Sequence, residues 1–126
     1  MRGLEQIARG YLRSLGFSCE YYVPEPCPPG TVTVKETGTS GSTRFLGRTM
    51  LTCQAWDSTR GGAESRANDA MDALIGRGDY EQDGGLAYAA ADITECAPGN
   101  GPYRWDDPGA NDLKRWQFTV EVTYNG

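Results

Sequence analysis

The sequence predicts an α+β two-layer sandwich: a mostly antiparallel sheet of four to five strands carrying two amphipathic helices, in a single domain over residues 1–126. Three observations predict it. Segments 3–15 and 63–75 repeat apolar residues at helical spacing. Several other segments alternate at strand period, most clearly Trp116 to Tyr124. The order helix, three strands, helix, two strands then lets both helices cover one sheet. A chain of 126 residues and 13.7 kDa suffices for one core, since about two-thirds of the unfolded surface is buried at this mass.

In the first helix Leu4, Ile7, Ala8, Tyr11, Leu12 and Leu15 form one stripe, with Arg2, Glu5, Arg9 and Arg13 on the other side. Gly16 follows, where a left-handed cap costs glycine least. Phe17 to Val23 is aromatic-rich and reads as a short strand. It stops at a tract with Pro24, Pro26, Pro28 and Pro29, which cannot donate ladder hydrogen bonds. That tract reads as a stiff crossover between two strands rather than a proline-rich ligand.

Thr31 to Glu36 alternates as a half-buried strand. Thr37 to Gly47 reads as the long tip of a hairpin, and Arg48 to Asp57 as the return strand. The return strand puts Leu51, Cys53 and Ala55 on one side and Met50 and Trp56 on the other, so its facing stays open. Ser58 or Thr59 caps the second helix, whose Ala63, Ala67 and Ala70 allow close approach to a sheet. Residues 77–85 read as a polar loop, 86–96 as a strand, 97–102 as a break and 103–112 as irregular. The final strand sets Trp116, Phe118, Val120, Val122 and Tyr124 on one face.

Composition narrows the chemistry. With 12 basic and 17 acidic residues the net charge is −5, without the basic footprint of a duplex-DNA reader. The absence of histidine removes Ser-His-Asp and Cys-His catalysis and imidazole metal sites. Cys19, Cys27, Cys53 and Cys96 show no CxxC spacing and read as reduced thiols filling apolar gaps, a Cys19–Cys27 bridge being the one local pairing to check. No apolar run approaches the roughly 18 residues of a spanning helix, and MRGLEQIARG lacks the apolar stretch of a secretion signal, so a soluble product made in the cytosol is expected.

The remaining chemical motifs are weak. Asp106-Asp107 suits a turn better than a catalytic pair. Asp79, Glu81 and Asp83 alternate like a calcium loop, but Glu81 holds the middle position and Ala90 the twelfth. TGTSGS lacks the lysine of a phosphate loop. The residues thus point to a non-enzymatic binding or assembly module with no cofactor and no metal.

The succession of local phrases resembles the tail-terminator (tail-completion, minor tail) proteins of long-tailed bacteriophages and prophages. An amphipathic helix at 3–15 is followed by Val23-Pro24-Glu25-Pro26, Thr31-Val32-Thr33-Val34 and the Gly-rich Thr37-Gly38-Thr39-Ser40-Gly41. Leu51-Thr52-Cys53-Gln54-Ala55-Trp56 then leads into the alanine-rich helix, and Asp107-Pro108 precedes Lys114 to Val122. The resemblance covers nearly the whole chain, through short degenerate phrases, and its departure is the polar tract 77–112.

It implies a small α/β protein that forms a homo-hexameric ring on the head-proximal end of the tail tube, in the virion. Such a ring stops tube polymerisation, contacts the tail tube protein and a head-completion or neck connector protein, and lets DNA pass through its lumen unread. An acidic chain suits that lumen, and exposed strand edges with a long hairpin could supply ring contacts. Interface candidates are Gly38, Ser40, Gly41, Arg44, Phe45 and Arg48 at the hairpin, and Tyr103, Arg104 and Trp105 as a second patch. Another neck connector, or a monomeric protein-binding adaptor using the proline tract or Tyr103 to Trp105, is the alternative.

Overall fold

The apolar stripe of the N-terminal segment folds as helix α1, Leu4–Ser14, which buries Leu4, Ala8 and Leu12. Its end is a hydrogen-bonded cap in which the Gly16 N–H donates to Arg13 and the Phe17 N–H to Leu12, with Gly16 at φ +95°. That turn sends Phe17 back into the core, 5% exposed. The structure, a computed structural model, describes residues 3–24, 28–38, 46–104 and 114–125.

Strands β1 (Ser18–Glu20), β2 (Thr31–Gly38) and β3 (Leu46–Asp57) follow, then helix α2 (Arg60–Ile75), a 3-10 helix (Gly78–Asp83), a short helix α3 (Leu86–Ala89), and strands β4 (Ile93–Arg104) and β5 (Lys114–Asn125). The five strands form one sheet in the order β1-β2-β3-β5-β4. β1 runs parallel to β2 and every other pair is antiparallel. The expected α+β sandwich with a mostly antiparallel sheet is therefore the observed architecture, and the chain between β1 and β2 is a crossover.

Both main helices pack on one face of the sheet. The α2 N-terminus is capped by Thr59, whose hydroxyl accepts from the Gly62 N–H at 3.0 Å. Ala63, Ala67, Ala70 and Ala73 are fully buried, so the α2 backbone lies close to β3 and β5. Against them the sheet presents Val32 and Val34, Leu51, Cys53 and Ala55, and Phe118, Val120 and Val122, all with no exposed surface. The open question of β3 facing is thereby answered: Leu51, Cys53 and Ala55 point at the helices.

Four expectations need correction. The strand expected over Phe17 to Val23 spans three residues only, because the chain leaves the sheet at Tyr21. The polar loop 77–85 contains the 3-10 helix, ended by two successive glycines at positive φ, Gly84 and Gly85. The strand expected at 86–96 starts instead with α3, and β4 begins at Ile93. The break expected at 97–102 is part of β4, which carries Pro98 and Pro102 through register shifts at 93/95, 98/100 and 100/103. An edge strand needs hydrogen bonds on one side alone, so prolines that would break a central strand are tolerated there.

Cys19, Cys53 and Cys96 are free thiols and buried, as gap-filling residues should be; Cys27 lies outside the described residues. Burial pushes the Cys19 and Cys96 thiols up to about 12 and that of Cys53 well above its ordinary value. For Cys19 the Arg13 and Arg9 guanidinium groups pull weakly the other way. These thiols are protonated packing groups at neutral pH rather than nucleophiles.

Candidate functional site

Strand alternation assigns the other face of the sheet. With the odd-numbered residues of β3 turned to the helices, Arg48, Met50, Thr52, Gln54 and Trp56 point away from them. The pairing register sets Thr123, Glu121, Thr119, Gln117 and Arg115 of β5 opposite these five residues. Thr33 and Lys35 of β2 face Gln54 and Thr52 in the same way. None of the described helices covers this face.

The side chains there tie to one another. Gln54 Nε2 donates to Gln117 Oε1 at 3.0 Å, and Gln117 Nε2 donates to the Tyr103 hydroxyl at 2.7 Å, linking β3, β5 and β4 in one chain. The Thr37 and Thr52 hydroxyls lie 2.9 Å apart, and the Asn100 N–H donates to Thr119 Oγ1 at 2.7 Å. At one end the Arg115 guanidinium stacks 5.0 Å from the ring of Trp56, which is 3% exposed.

Next to β1 this face deepens. After Glu20 the chain turns, and Tyr21, Tyr22 and Val23 wall a groove of about 310 Å³. Its floor is made by Thr33, Lys35, Thr37, Thr52 and Gln54. Tyr21 is steadied from behind by Arg9, whose guanidinium carbon stands 4.7 Å from the ring centre. Tyr22 and Val23 remain 74% and 41% exposed, an arrangement that leaves apolar surface available beside a cationic floor.

The outer strands of the sheet are blunted in part; among the described residues β2 beyond Thr33 has no strand neighbour on the β1 side, and its Glu36 N–H donates to Glu5 Oε1 at 2.8 Å instead. On β1, Arg13 Nε and Arg9 Nε donate to the Cys19 carbonyl at 2.9 and 3.3 Å, and both guanidinium groups also pair with the Glu20 carboxylate. On β4, Pro98 and Pro102 interrupt the row of backbone donors. Between these outer strands the sheet presents the face that none of the described helices covers.

The sequence-derived interface candidates fall into three groups. Gly38 ends β2, and Arg48 is exposed on β3 opposite Thr123. Tyr103 is half-buried on the same face as Arg48, about 20 Å away by the strand rise between Arg48 and the Gln54 row. Arg104 closes β4 opposite Trp116, on the helix side of the register. Ser40, Gly41, Arg44, Phe45 and Trp105 lie outside the described residues. Of the described members, Arg48 and the Tyr103–Arg104 pair therefore sit at opposite ends of the sheet rather than together.

The groove residues were not singled out from the sequence. Their signal was present in the outward alternation of Thr33, Lys35 and Thr37, but the tyrosines joined it only because β1 ends at Glu20. Among the described residues no group of His, Cys, Asp and Glu comes together as a metal site, and no helix is long and apolar enough to cross a membrane. The acidic segment with calcium-loop-like spacing is the 3-10 helix, with Asp79, Glu81 and Asp83 exposed. Compared with known proteins, the chain matches no family model and no curated relative.

Proposed function

We propose that this chain is a structural subunit of a long-tailed bacteriophage or prophage, forming a homo-hexameric ring on the head-proximal end of the tail tube. In this reading it ends tube polymerisation and provides the surface that the filled head joins. Its partners are further copies of itself, the tail tube protein and a head-completion or neck connector protein. It is assembled in the host cytoplasm, stays in the virion tail, and performs no catalytic step.

The observation that carries the reading is a five-stranded sheet with one face that none of the described helices covers, and with arginines on β1 and prolines on β4 at its outer strands. Such a subunit meets partners through a broad face, which suits a closed assembly better than open strand pairing. Two further points support it. Those phrases of the resemblance that lie on described residues fall on α1, β2, β3, α2 and β5 of one sheet-and-helix fold. The net charge of −5 suits a channel along which DNA slides without sticking.

The test is polymerisation of the tail tube protein of the same phage or prophage, with and without this chain, viewed by negative-stain electron microscopy. A ring at one tube end and arrested growth are expected. Unaltered tubes with no bound protein would overturn the terminator reading, in favour of another neck connector or a monomeric adaptor.

A further inference from the structure

The groove is a cationic exception on an acidic molecule. Lys35 is the one charged residue among its described lining residues, while the chain as a whole carries −5. Its volume of about 310 Å³ is at the small end for a binding site, enough for a few side chains of a partner rather than a broad flank. Exposed Tyr22 stands at its wall, one of the residue types enriched among the anchors of contacts between proteins.

The complementary surface is on the opposite face of the same molecule. The 3-10 helix lies on the helix layer, where its Tyr80 ring stands 6.0 Å from Phe17. It exposes Asp79, Glu81 and Asp83, and the stretch from Gly78 to Tyr103 contains no lysine or arginine. Beside it α3 displays Tyr88, which is 84% exposed. One face thus offers a lysine with exposed apolar side chains, and the other three carboxylates with an exposed aromatic.

We propose that the groove of one copy receives the acidic 3-10 segment of a second copy, Lys35 meeting its carboxylates and Tyr22 packing beside them. The contact is heterologous, since it joins two different patches, and repeated from copy to copy it generates a ring or a filament. The proposal rests on the ring reading in taking another copy as the occupant; the pairing of these two faces is argued from charge and exposure alone.

A charge swap tests it. Sedimentation is measured from about 10 µM to about 1 mM, at about 50 mM and about 500 mM salt, for the natural chain, Lys35→Glu, and the triple variant Asp79→Lys, Glu81→Lys, Asp83→Lys. The natural chain is expected to associate at low salt and to weaken at high salt. Each variant alone is expected to lose about tenfold or more in affinity, because like charges then face each other across the contact. A 1:1 mixture of the two variants regains association, since both of its cross-contacts pair opposite charges.

Tyr22→Ser, which leaves every charge in place, weakens association as well. Circular dichroism confirms that each variant is folded, as expected for changes at exposed positions. A natural chain that stays monomeric up to about 1 mM, or a mixture no stronger than its components, overturns the proposal. The tube assay separates this outcome from the broader reading. If Lys35→Glu arrests tubes as well as the natural chain, the terminator role stands and this contact falls. If the swap is restored in solution but tubes grow unchecked, the contact stands and the terminator role falls.

Discussion

Substituting alanine for two glycines should move stability in opposite directions, for reasons visible at each site. Gly85 sits at φ 77° and ψ −173°, a backbone region open to almost no residue but glycine. Holding alanine there costs about 1–3 kcal/mol. A Cβ on Gly85 would also stand 2.8 Å from the Gly76 nitrogen, the Ile75 carbonyl carbon and the Leu74 oxygen, all backbone atoms of the α2 terminus. Backbone cannot swing aside as a flexible side chain can, so overpacking adds about 1–3 kcal/mol. Gly85→Ala should therefore cost about 2–6 kcal/mol of a total of about 5–15. Gly10, inside α1, has nothing within 4 Å of its would-be Cβ. Gly10→Ala should gain about 0.5–1 kcal/mol from the lower entropy of the unfolded chain and better helix propensity. Urea unfolding reads both: with a slope of about 1–3 kcal/mol per molar, the Gly85→Ala midpoint falls by about 1 M or more and that of Gly10→Ala rises by a few tenths. A Gly85→Ala midpoint within about 0.2 M of the natural chain would refute the argument that this loop interlocks with α2.

Three smaller perturbations test other joints. Thr59→Ala removes the cap on the Gly62 N–H and should cost about 1 kcal/mol, read from the same urea curves. Tyr103→Phe deletes the acceptor at the end of the Gln54–Gln117–Tyr103 chain and should cost about 0.5–1.5 kcal/mol, with a neutral result arguing that water replaces the hydroxyl at no loss. The buried thiols predict alkaline lability: folded Cys19 and Cys96 hold their protons to about 12 and Cys53 also titrates well above its ordinary value, while the unfolded chain releases these protons from about pH 9. Their contribution is thus complete below pH 9 and lost as pH rises towards 12, at up to about 1.4 kcal/mol per pH unit for each thiol. Cys53→Ala should make that decline shallower, and a stability flat from pH 9 to 11 in the natural chain would contradict the assignment.

The parts legible in the sequence are those where one periodicity acts alone. The α1 stripe, the alanine face of α2 and the alternation of β5 each report a single interface, so the residues that repeat are the residues that bury. β4 was hidden because Pro98, Gly99, Gly101 and Pro102 are breakers only if both sides of the strand must bond, and its position at the edge relaxes that demand. The four-residue α3 was hidden for another reason: a short apolar run such as Leu86 to Ala89 fits helix and strand equally. The groove needed a tertiary fact, the early end of β1, which turns Tyr21 to Val23 from strand residues into a wall. Of the interface candidates, Arg48 and Tyr103 were legible as surface residues, but not as members of one face, because the β3-β5-β4 order cannot be read from strand sequence alone.

That order bears on how the molecule can assemble. A sheet edge with unpaired backbone groups recruits any strand, including another copy, and sets no natural limit to growth. Here the β1 edge carries two arginines on the Cys19 carbonyl, and the β4 edge carries two prolines. In the proposed contact, by contrast, the groove and the acidic 3-10 helix are patches on opposite faces, and the angle between successive copies would be set by the fold that carries them. A contact of this kind closes when that angle divides the circle and extends when it does not. The proposed contact and the arginines and prolines of the outer strands therefore act in the same direction, the first giving copies one directional way to meet and the second disfavouring open strand pairing.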